Sequence, residues 1–191
     1  GLEWSRDEVR LLATRTEGWS AGIQLAALSM RGQEDKANFL GAFSGKHRYI
    51  LNYLTEEVLN QQSKEVQEFL LYTSILTRLC GSLCDAVMNI GQNNFEATIP
   101  SPSHLTSELM LEQLDRANLF LVSLDDLGQW YRYHQLFAEV LQHRLRNSQP
   151  EILPTLHRRA SLWYELESPT DAIPHALQAA DFNHAATLIE R

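Results

Sequence analysis

A glycine-rich segment in the first quarter of the chain invites comparison with a nucleotide-binding loop. Residues 41–47 read Gly-Ala-Phe-Ser-Gly-Lys-His, and in a P-loop glycine-spaced backbone N–H groups and a lysine surround phosphate. This segment has one residue too few between its glycines. It also carries His47 in place of the Mg²⁺-binding Ser or Thr and follows no predicted strand. We therefore expect no P-loop in this chain.

Cysteines and C-terminal histidines are further residues that could support a redox or metal site. Cys80 and Cys84 are four residues apart in a helical pattern, where two thiols share a face but are poorly placed for a disulfide. His157, His175 and His184 fall on different predicted helices, with no carboxylate or cysteine at ligand spacing. We expect reduced core cysteines and histidines that pack or face solvent. No zinc, Ser-His-Asp or paired-carboxylate pattern supports catalysis.

Aromatic residues near the middle of the chain could stack on nucleic acid bases. Trp130, Tyr131 and Tyr133 are the candidates, but stacking platforms for nucleic acid occur in basic grooves. The net charge is −8 and the basic residues are scattered along the chain, so the surface repels phosphate. We expect core or interdomain packing for these rings and no direct nucleic acid partner.

Composition predicts a folded protein without a membrane partner. The chain has 191 residues, of which 44% are hydrophobic and 21% charged, the balance of ordinary globular domains. Its longest apolar run, residues 21–30, is interrupted by Gln24 and Ser29 and is shorter than the roughly 20 residues that span a bilayer. The first six residues do not resemble a secretory signal. We expect a cytoplasmic location, and the missing initiator Met suggests a piece of a longer protein.

Helical periodicity dominates the first half of the chain. Ser5 and Glu8 have the spacing of a capping box and predict a helix over residues 6–16, ended by Gly18. Apolar spacing then predicts helices over residues 20–30, near residues 39–43, and from residue 49 to about residue 62. Ser63 can cap the next helix, and Leu79, Leu83, Ala86 and Val87 indicate another. Residues 90–103 predict an exposed loop.

The middle of the chain predicts a winged helix. A helix over residues 105–117 precedes two β-prone segments, residues 119–124 and 129–133, on either side of turn residues 125–128. A further helix follows over residues 135–146. Three helices followed by a hairpin is the layout of a winged helix, and the acidic charge indicates that this wing does not read DNA.

The last segment, residues 148–191, has the residue pattern of stacked helical hairpins. Small residues recur at helical spacing and let paired helices approach closely; they are Ala160, Ala172, Ala176, Ala179, Ala180, Ala185 and Ala186. About one and a half such units are present. A stable solenoid would require residues beyond Arg191.

Five stretches together resemble the bacterial MalT-like group of large ATP-dependent LuxR-type transcriptional regulators. This group belongs to the signal-transducing NTPases with numerous domains. The stretches follow the family's order and are residues 16–28 (TEGWSAGIQLAAL), 43–50 (FSGKHRYI), 69–76 (FLLYTSIL), 114–122 (LDRANLFLV) and 131–137 (YRYHQLF). Each alone is weak evidence, whereas their co-occurrence is specific.

The resemblance implies a mostly α fold in three parts. Family members carry a P-loop domain, a helical lid, a winged helix, a helical-repeat sensor and a C-terminal helix-turn-helix. By this resemblance, residues 1–62 are a helical lid domain, residues 63–147 a winged-helix domain with one β-hairpin, and residues 148–191 the start of a TPR-like repeat region. The domains that bind ATP and DNA are absent from this chain.

The resemblance also implies three residues that contact ADP in the intact protein. His134 matches the winged-helix histidine that points at the β-phosphate, a contact that an imidazole N–H can make to anionic oxygen. Gly22 and Gln24 match the lid motif near the adenine, although many relatives in the wider superfamily carry Pro where Gln24 stands. Without the resemblance, we would expect His134 to be a structural imidazole. Trp19 and Gly22 would then serve only helix packing.

The function implied is interdomain signalling. ADP or ATP would bind the intact protein, which would hydrolyse ATP slowly through another domain, and no cofactor is expected for this fragment alone. Its partners would be the nucleotide-binding and sensor domains in cis, with self-association in the active state. The alternative from the residues is a stand-alone helical adaptor that binds proteins through its C-terminal helices. A small hydrolase has no supporting set of residues.

Overall fold

A computed structural model describes residues 5–29, 48–89, 106–117 and 120–190. The chain divides into two compact units, which we treat separately. Unit 1 comprises Gly1–Gln67 and His134–His143, and unit 2 comprises Glu68–Tyr133 and Arg144–Arg191.

The described part of the chain is mostly helical with one β-hairpin, as predicted. Its elements are α1 (Arg6–Thr16), α2 (Ser20–Ser29), α3 (Arg48–Tyr53), α4 (Lys64–Thr73), α5 (Gly81–Met88), α6 (Ser107–Arg116), β1 (Leu121–Ser123), β2 (Tyr131–Tyr133), α7 (Gln135–Ser148), α8 (Leu153–Glu167), α9 (Pro169–Gln178) and α10 (Phe182–Ile189). In these elements no helix is long and apolar enough to cross a bilayer.

The first helix of unit 1 begins and ends through local hydrogen bonds. The predicted capping box is present, since the Ser5 side chain accepts from the Glu8 N–H at 3.2 Å and the Glu8 side chain accepts from the Ser5 N–H at 2.7 Å. At its other end, Glu17 adopts the left-handed conformation with φ 47° and Gly18 follows with φ 77°. Two successive positive φ values reverse the chain sharply, so that α2 starts only four residues after α1 ends.

The helix that begins at Arg48 continues in a different helical form. After α3, residues Leu54–Val58 form a π-helical turn and Leu59–Gln61 a 3₁₀ turn, so the predicted helix to about residue 62 is confirmed in extent. Among the described residues of unit 1, the buried side chains are those of Leu12, Thr16, Ala26, Ile50, Leu54, Leu59, His134, Leu136, Phe137, Val140 and Leu141.

Unit 2 contains the hairpin and, beside it, an isolated backbone pairing. The strands pair antiparallel with Leu121 opposite Tyr133 and Ser123 opposite Tyr131. Leu79 pairs with Tyr131 on its other side, through N–H···O bonds of 2.7 and 2.9 Å. The prediction that Leu79 belongs to the following helix is therefore wrong. Its spacing fits a helix, but Cys80 is extended with φ −139° and α5 begins at Gly81.

A buried tyrosine anchors the second strand to α4. The Tyr133 hydroxyl lies 2.7 Å from Thr73 Oγ1. Because Thr73 already donates to the Phe69 carbonyl at 2.6 Å, Tyr133 is the donor in this pair. Burial raises the pKa of Tyr133 well above its ordinary value, so the hydroxyl keeps its proton.

One carboxylate organises the turn of the hairpin. Asp125 accepts three backbone N–H bonds, from Leu127 at 3.1 Å, Gln129 at 2.9 Å and Trp130 at 2.9 Å. Gly128 follows with φ 65°, a conformation that glycine adopts without steric cost. The turn predicted at residues 125–128 is confirmed, and its shape depends on one side chain.

The C-terminal helices of unit 2 pack as close hairpins. Ala160 on α8 and both Ala172 and Ala176 on α9 are fully buried, and Ser161 donates to the Ala172 carbonyl at 2.9 Å. Small side chains let the two axes approach, as predicted. Arg159 also donates to the Val87 carbonyl at 2.9 Å, which joins α8 to the carboxyl end of α5, where a cation is favourable.

Three predictions lie outside the described residues. They are the short helix near residues 39–43, the glycine-rich segment at residues 41–47 and the loop at residues 90–103. The proposed domain limits at residues 62 and 147 stay predictions.

Asp125→Ala should lower the free energy of unfolding by about 1–3 kcal/mol, because three backbone donors lose a charged acceptor. Urea denaturation followed by tryptophan fluorescence measures this. The exposed neighbour provides the control, since Asp126→Ala should change stability by no more than about 0.5 kcal/mol. Equal midpoints for the two variants would show that Asp125 does not organise the turn.

Candidate functional site

The predicted phosphate-contacting histidine is buried at the start of α7 in unit 1. The side chain of His134 is 10% exposed, and its Nε2 lies 3.4 Å from Oε2 of Glu17. The same carboxylate oxygen accepts the backbone N–H of Gln135 at 3.3 Å. Glu17 was not among the site residues predicted from the sequence, although it lies at the end of a predicted helix and within the family-like stretch 16–28.

An indole ring packs beside this histidine. Trp19 meets His134 edge to face with ring centroids 6.2 Å apart, and it also contacts Tyr53 at 6.0 Å. Its backbone caps α2, because the Trp19 carbonyl accepts from the Ile23 N–H at 3.0 Å. The turn after α1 thus places a carboxylate and an aromatic ring against one imidazole.

Gly22 and Gln24 have different environments. Gly22 is buried under Trp19, where a Cβ would collide with Cε3 of the ring and come within 3.1 Å of Cζ3. Gln24 is exposed on the same helix. The structure therefore connects Gly22 to His134 through Trp19, and it does not bring Gln24 into this cluster. Gly22 and Trp19 therefore pack against each other, while the ADP contacts predicted for Gly22 and Gln24 stay predictions.

The chemistry available at this cluster is the binding of an anion. A histidine N–H and the first backbone N–H of a helix both donate, and the positive end of the helix dipole favours negative charge. In this structure the Glu17 carboxylate faces both donors. Within the described residues, no group of three or more His, Cys, Asp or Glu side chains could hold a metal ion.

Two of the three C-terminal histidines meet in unit 2. Nδ1 of His157 lies 2.9 Å from Nδ1 of His175, and Tyr164 stacks on His175 with the planes 14° apart. Burial, with smaller contributions from His175 and Arg146, lowers the pKa of His157 to about 4. Burial lowers the pKa of His175 as well, against the opposing effect of Asp171. Two neutral imidazoles can share one hydrogen bond, so the packing interpretation holds for this pair.

His184 lies apart from that pair. Its Nε2 is 3.7 Å from Oε2 of Glu165, a carboxylate that the sequence analysis did not place near it. Cys80 and Cys84 are buried free thiols, as predicted. Burial raises the pKa of Cys84 well above its usual value, so this thiol stays protonated and is a poor nucleophile.

The aromatic residues of the wing pack inside unit 2. Tyr131 and Tyr133 are buried, while Trp130 meets the edge of Trp163 at 6.4 Å and carries the Arg78 guanidinium 4.7 Å above its ring. These contacts occupy the faces that would otherwise stack on bases. The prediction that these rings serve packing is confirmed.

The family is decided by a match that covers more than half of the chain. Residues 55–153 match the family described as the MalT winged helix domain. The chain belongs to the MalT winged helix domain family. The matched part of this MalT-type chain includes His134, whereas Glu17, Gly22 and Gln24 lie before it.

Curated relatives of this MalT-type chain include two kinds of protein. The serine/threonine-protein kinase PknK of Mycobacterium tuberculosis strain H37Rv is 37% identical over 192 residues, which is 100% of this chain and 16% of the relative. The HTH-type transcriptional regulator MalT is 35% identical in Serratia proteamaculans and 34% in Yersinia enterocolitica, over 93% and 89% of this chain and 18% of each relative. The chain therefore spans less than a fifth of the length of these relatives.

Gly22→Ala should destabilise unit 1 by about 1–3 kcal/mol, since the added methyl collides with the buried face of Trp19. The sign of this stability change is informative, because Ala otherwise stabilises a helix interior by up to about 1 kcal/mol relative to Gly. Thermal denaturation measures it, with the exposed Gln24→Ala on the same helix as the control. A Gly22→Ala protein as stable as the control would contradict the close packing.

Acidification should destabilise the histidine pair. Between pH 6.5 and about 4, the unfolded chain binds a proton that the folded His157 does not, so the free energy of unfolding falls as pH falls. We expect a loss of about 1–2 kcal/mol after allowing for solvent screening. Melting temperatures at pH 7 and pH 5 test this: the decrease should be smaller in His157→Gln, and His184→Gln should retain it. Identical decreases in all three proteins would exclude the pair as the cause.

Proposed function

We propose that this chain is an interdomain signalling region of an ATP-dependent transcriptional regulator. The observation that carries the proposal is membership of the MalT winged helix domain family, together with similarity along nearly the whole chain to HTH-type transcriptional regulators. Such a region does no chemistry itself. It transmits the nucleotide state of one domain to a sensor and an output domain by domain rearrangement.

Similarity to a protein kinase supports the signalling role. PknK aligns with the whole of this chain, and the MalT regulators align with about nine-tenths of it. A protein kinase and transcriptional regulators, whose names indicate different activities, thus share a segment similar to this chain. A region common to both is better suited to control an output than to supply it, and the packing of Trp130, Tyr131 and Tyr133 within unit 2 favours protein contacts over base contacts.

The nucleotide contact would be made in unit 1. The imidazole of His134 and the amide of Gln135 are two donors at a helix start that suit an ADP phosphate. Trp19, seated on Gly22, would hold the ring in place. Gln24, exposed on α2, would contact the adenine from a separate position.

The remaining features of the proposal follow from this assignment. The protein would be cytoplasmic and of the LuxR type, with its nucleotide-binding and sensor domains as partners in cis. The hairpins formed by α8, α9 and α10 would be the start of a TPR-like sensor. Self-association would accompany the active state. A stand-alone adaptor is less favoured, because the relatives are several times longer than this chain.

ADP affinity of the intact protein tests the proposal. His134→Ala removes one donor to a charged oxygen, a loss of about 1.5–3 kcal/mol, and should weaken ADP binding at least about tenfold in isothermal titration calorimetry. His184→Ala, a histidine in unit 2, should bind ADP as the unmodified protein does. Unchanged affinity in His134→Ala would remove the phosphate assignment, and no ADP binding by the unmodified protein would remove the regulator assignment.

A further inference from the structure

The carboxylate of Glu17 occupies the place that an anionic ligand of His134 would take. Its Oε2 lies 3.4 Å from Nε2 of the imidazole and 3.3 Å from the backbone nitrogen of Gln135. The imidazole nitrogen and the backbone N–H therefore lie close to the same carboxylate oxygen. A carboxylate and a phosphate present the same chemistry to such donors, since each offers negatively charged oxygens that accept N–H bonds.

We propose that Glu17 is an internal substitute for the nucleotide phosphate, which holds His134 and the start of α7 in the absence of nucleotide and is displaced when ADP binds. This inference rests on the proposed function, because it assumes that a phosphate reaches His134. It adds a residue that regulates the site by competing for it.

The geometry of Glu17 suits an exchangeable contact. Distances of 3.3 and 3.4 Å lie at or beyond the long end of N–H···O bonds, so the pairing is looser than a charge-assisted bond at 2.7–2.9 Å. The Glu17 side chain is 26% exposed while that of His134 is 10% exposed. The carboxylate can therefore turn out to solvent while the imidazole stays in its packed position against Trp19.

The backbone conformation of Glu17 determines where its carboxylate lies. Glu17 is the left-handed residue that ends α1, with φ 47° and ψ 34°, and non-glycine residues are uncommon in this conformation. The turn directs the side chain of Glu17 toward Gln135, which lies 118 positions later in the sequence. A glycine or asparagine would form this turn more readily but would carry no charge to His134.

Two anions cannot share these donors. A phosphate oxygen within hydrogen-bonding distance of His134 Nε2 would lie against the Glu17 carboxylate, and like charges at that separation repel. Nucleotide binding must then include the displacement of Glu17, and its apparent affinity is reduced by the fraction of molecules in which the carboxylate occupies the donors. Glu17 would thus set the ADP concentration at which the protein changes state.

The test is ADP affinity of the intact protein carrying Glu17→Gln, measured by isothermal titration calorimetry. Removal of the competing charge should tighten ADP binding by about threefold to tenfold. Glu57→Gln removes one charge from an exposed position of unit 1 and should leave the affinity unchanged. In a His134→Ala background, Glu17→Gln should tighten binding less than it does in the unmodified protein, because only the Gln135 N–H then remains as a shared donor.

A second variant keeps the test valid if Glu17→Gln fails to fold. Glu17→Asp suits the left-handed conformation better than glutamate does and draws the carboxylate back by one methylene. It should also tighten ADP binding, and circular dichroism melting reports whether each variant is folded.

Failure of this inference is distinguishable from failure of the proposed function. If His134→Ala weakens ADP binding but Glu17→Gln and Glu17→Asp leave it unchanged or weaken it, His134 contacts phosphate without displacement of Glu17, and the exchange is wrong. If His134→Ala itself leaves the ADP affinity unchanged, then His134 does not contact phosphate. The exchange of Glu17 for phosphate is then wrong as well.

Discussion

The packing of His134–His143 against Gly1–Gln67, with Glu17 facing the start of α7, is the constraint that shapes unit 1. The Glu17 contact joins two segments 118 positions apart in sequence, because unit 1 is assembled from Gly1–Gln67 and from His134–His143. Loop closure over such a length carries an entropic cost. The buried apolar residues of both segments, Leu12 and Ile50 in one and Phe137 and Leu141 in the other, supply the favourable free energy. The Glu17 contact contributes specificity, because it determines which polar groups of the two segments face each other.

The sequence predicted the elements better than it predicted the site. The Ser5 and Glu8 capping box, the Asp125 turn and the alternation of Tyr131 and Tyr133 are local signals, and each was confirmed because the atoms that satisfy it lie within a few residues. Leu79 was misassigned because helical spacing cannot reveal a pairing with Tyr131, 52 positions later. The Glu17 and His134 pair and the His157 and His175 pair are also non-local, and residue spacing gives no signal for either.

The structure separates two roles for aromatic residues that look alike in the sequence. In unit 2, Tyr133 is buried and bonded to Thr73, and Trp130 contacts both Arg78 and Trp163, so the wing is held by its own unit. In unit 1, Trp19 rests on Gly22 and presents an edge to His134. Rings that are engaged in this way do not form a stacking platform for bases, which supports the proposed role in protein contacts. The acidic net charge of −8 favours the same conclusion.

The exchange of Glu17 for a phosphate at His134 can be followed in the imidazole ¹⁵N spectrum of His134 in the intact protein, with and without ADP. Histidine-selective labelling, with assignment by His134→Gln, isolates this resonance from those of His157 and His175 in unit 2. Exchange of a carboxylate for a phosphate at Nε2 predicts that ADP shifts the His134 resonance and leaves the other two in place. A His134 resonance unchanged at saturating ADP would show that no phosphate replaces Glu17 at this imidazole.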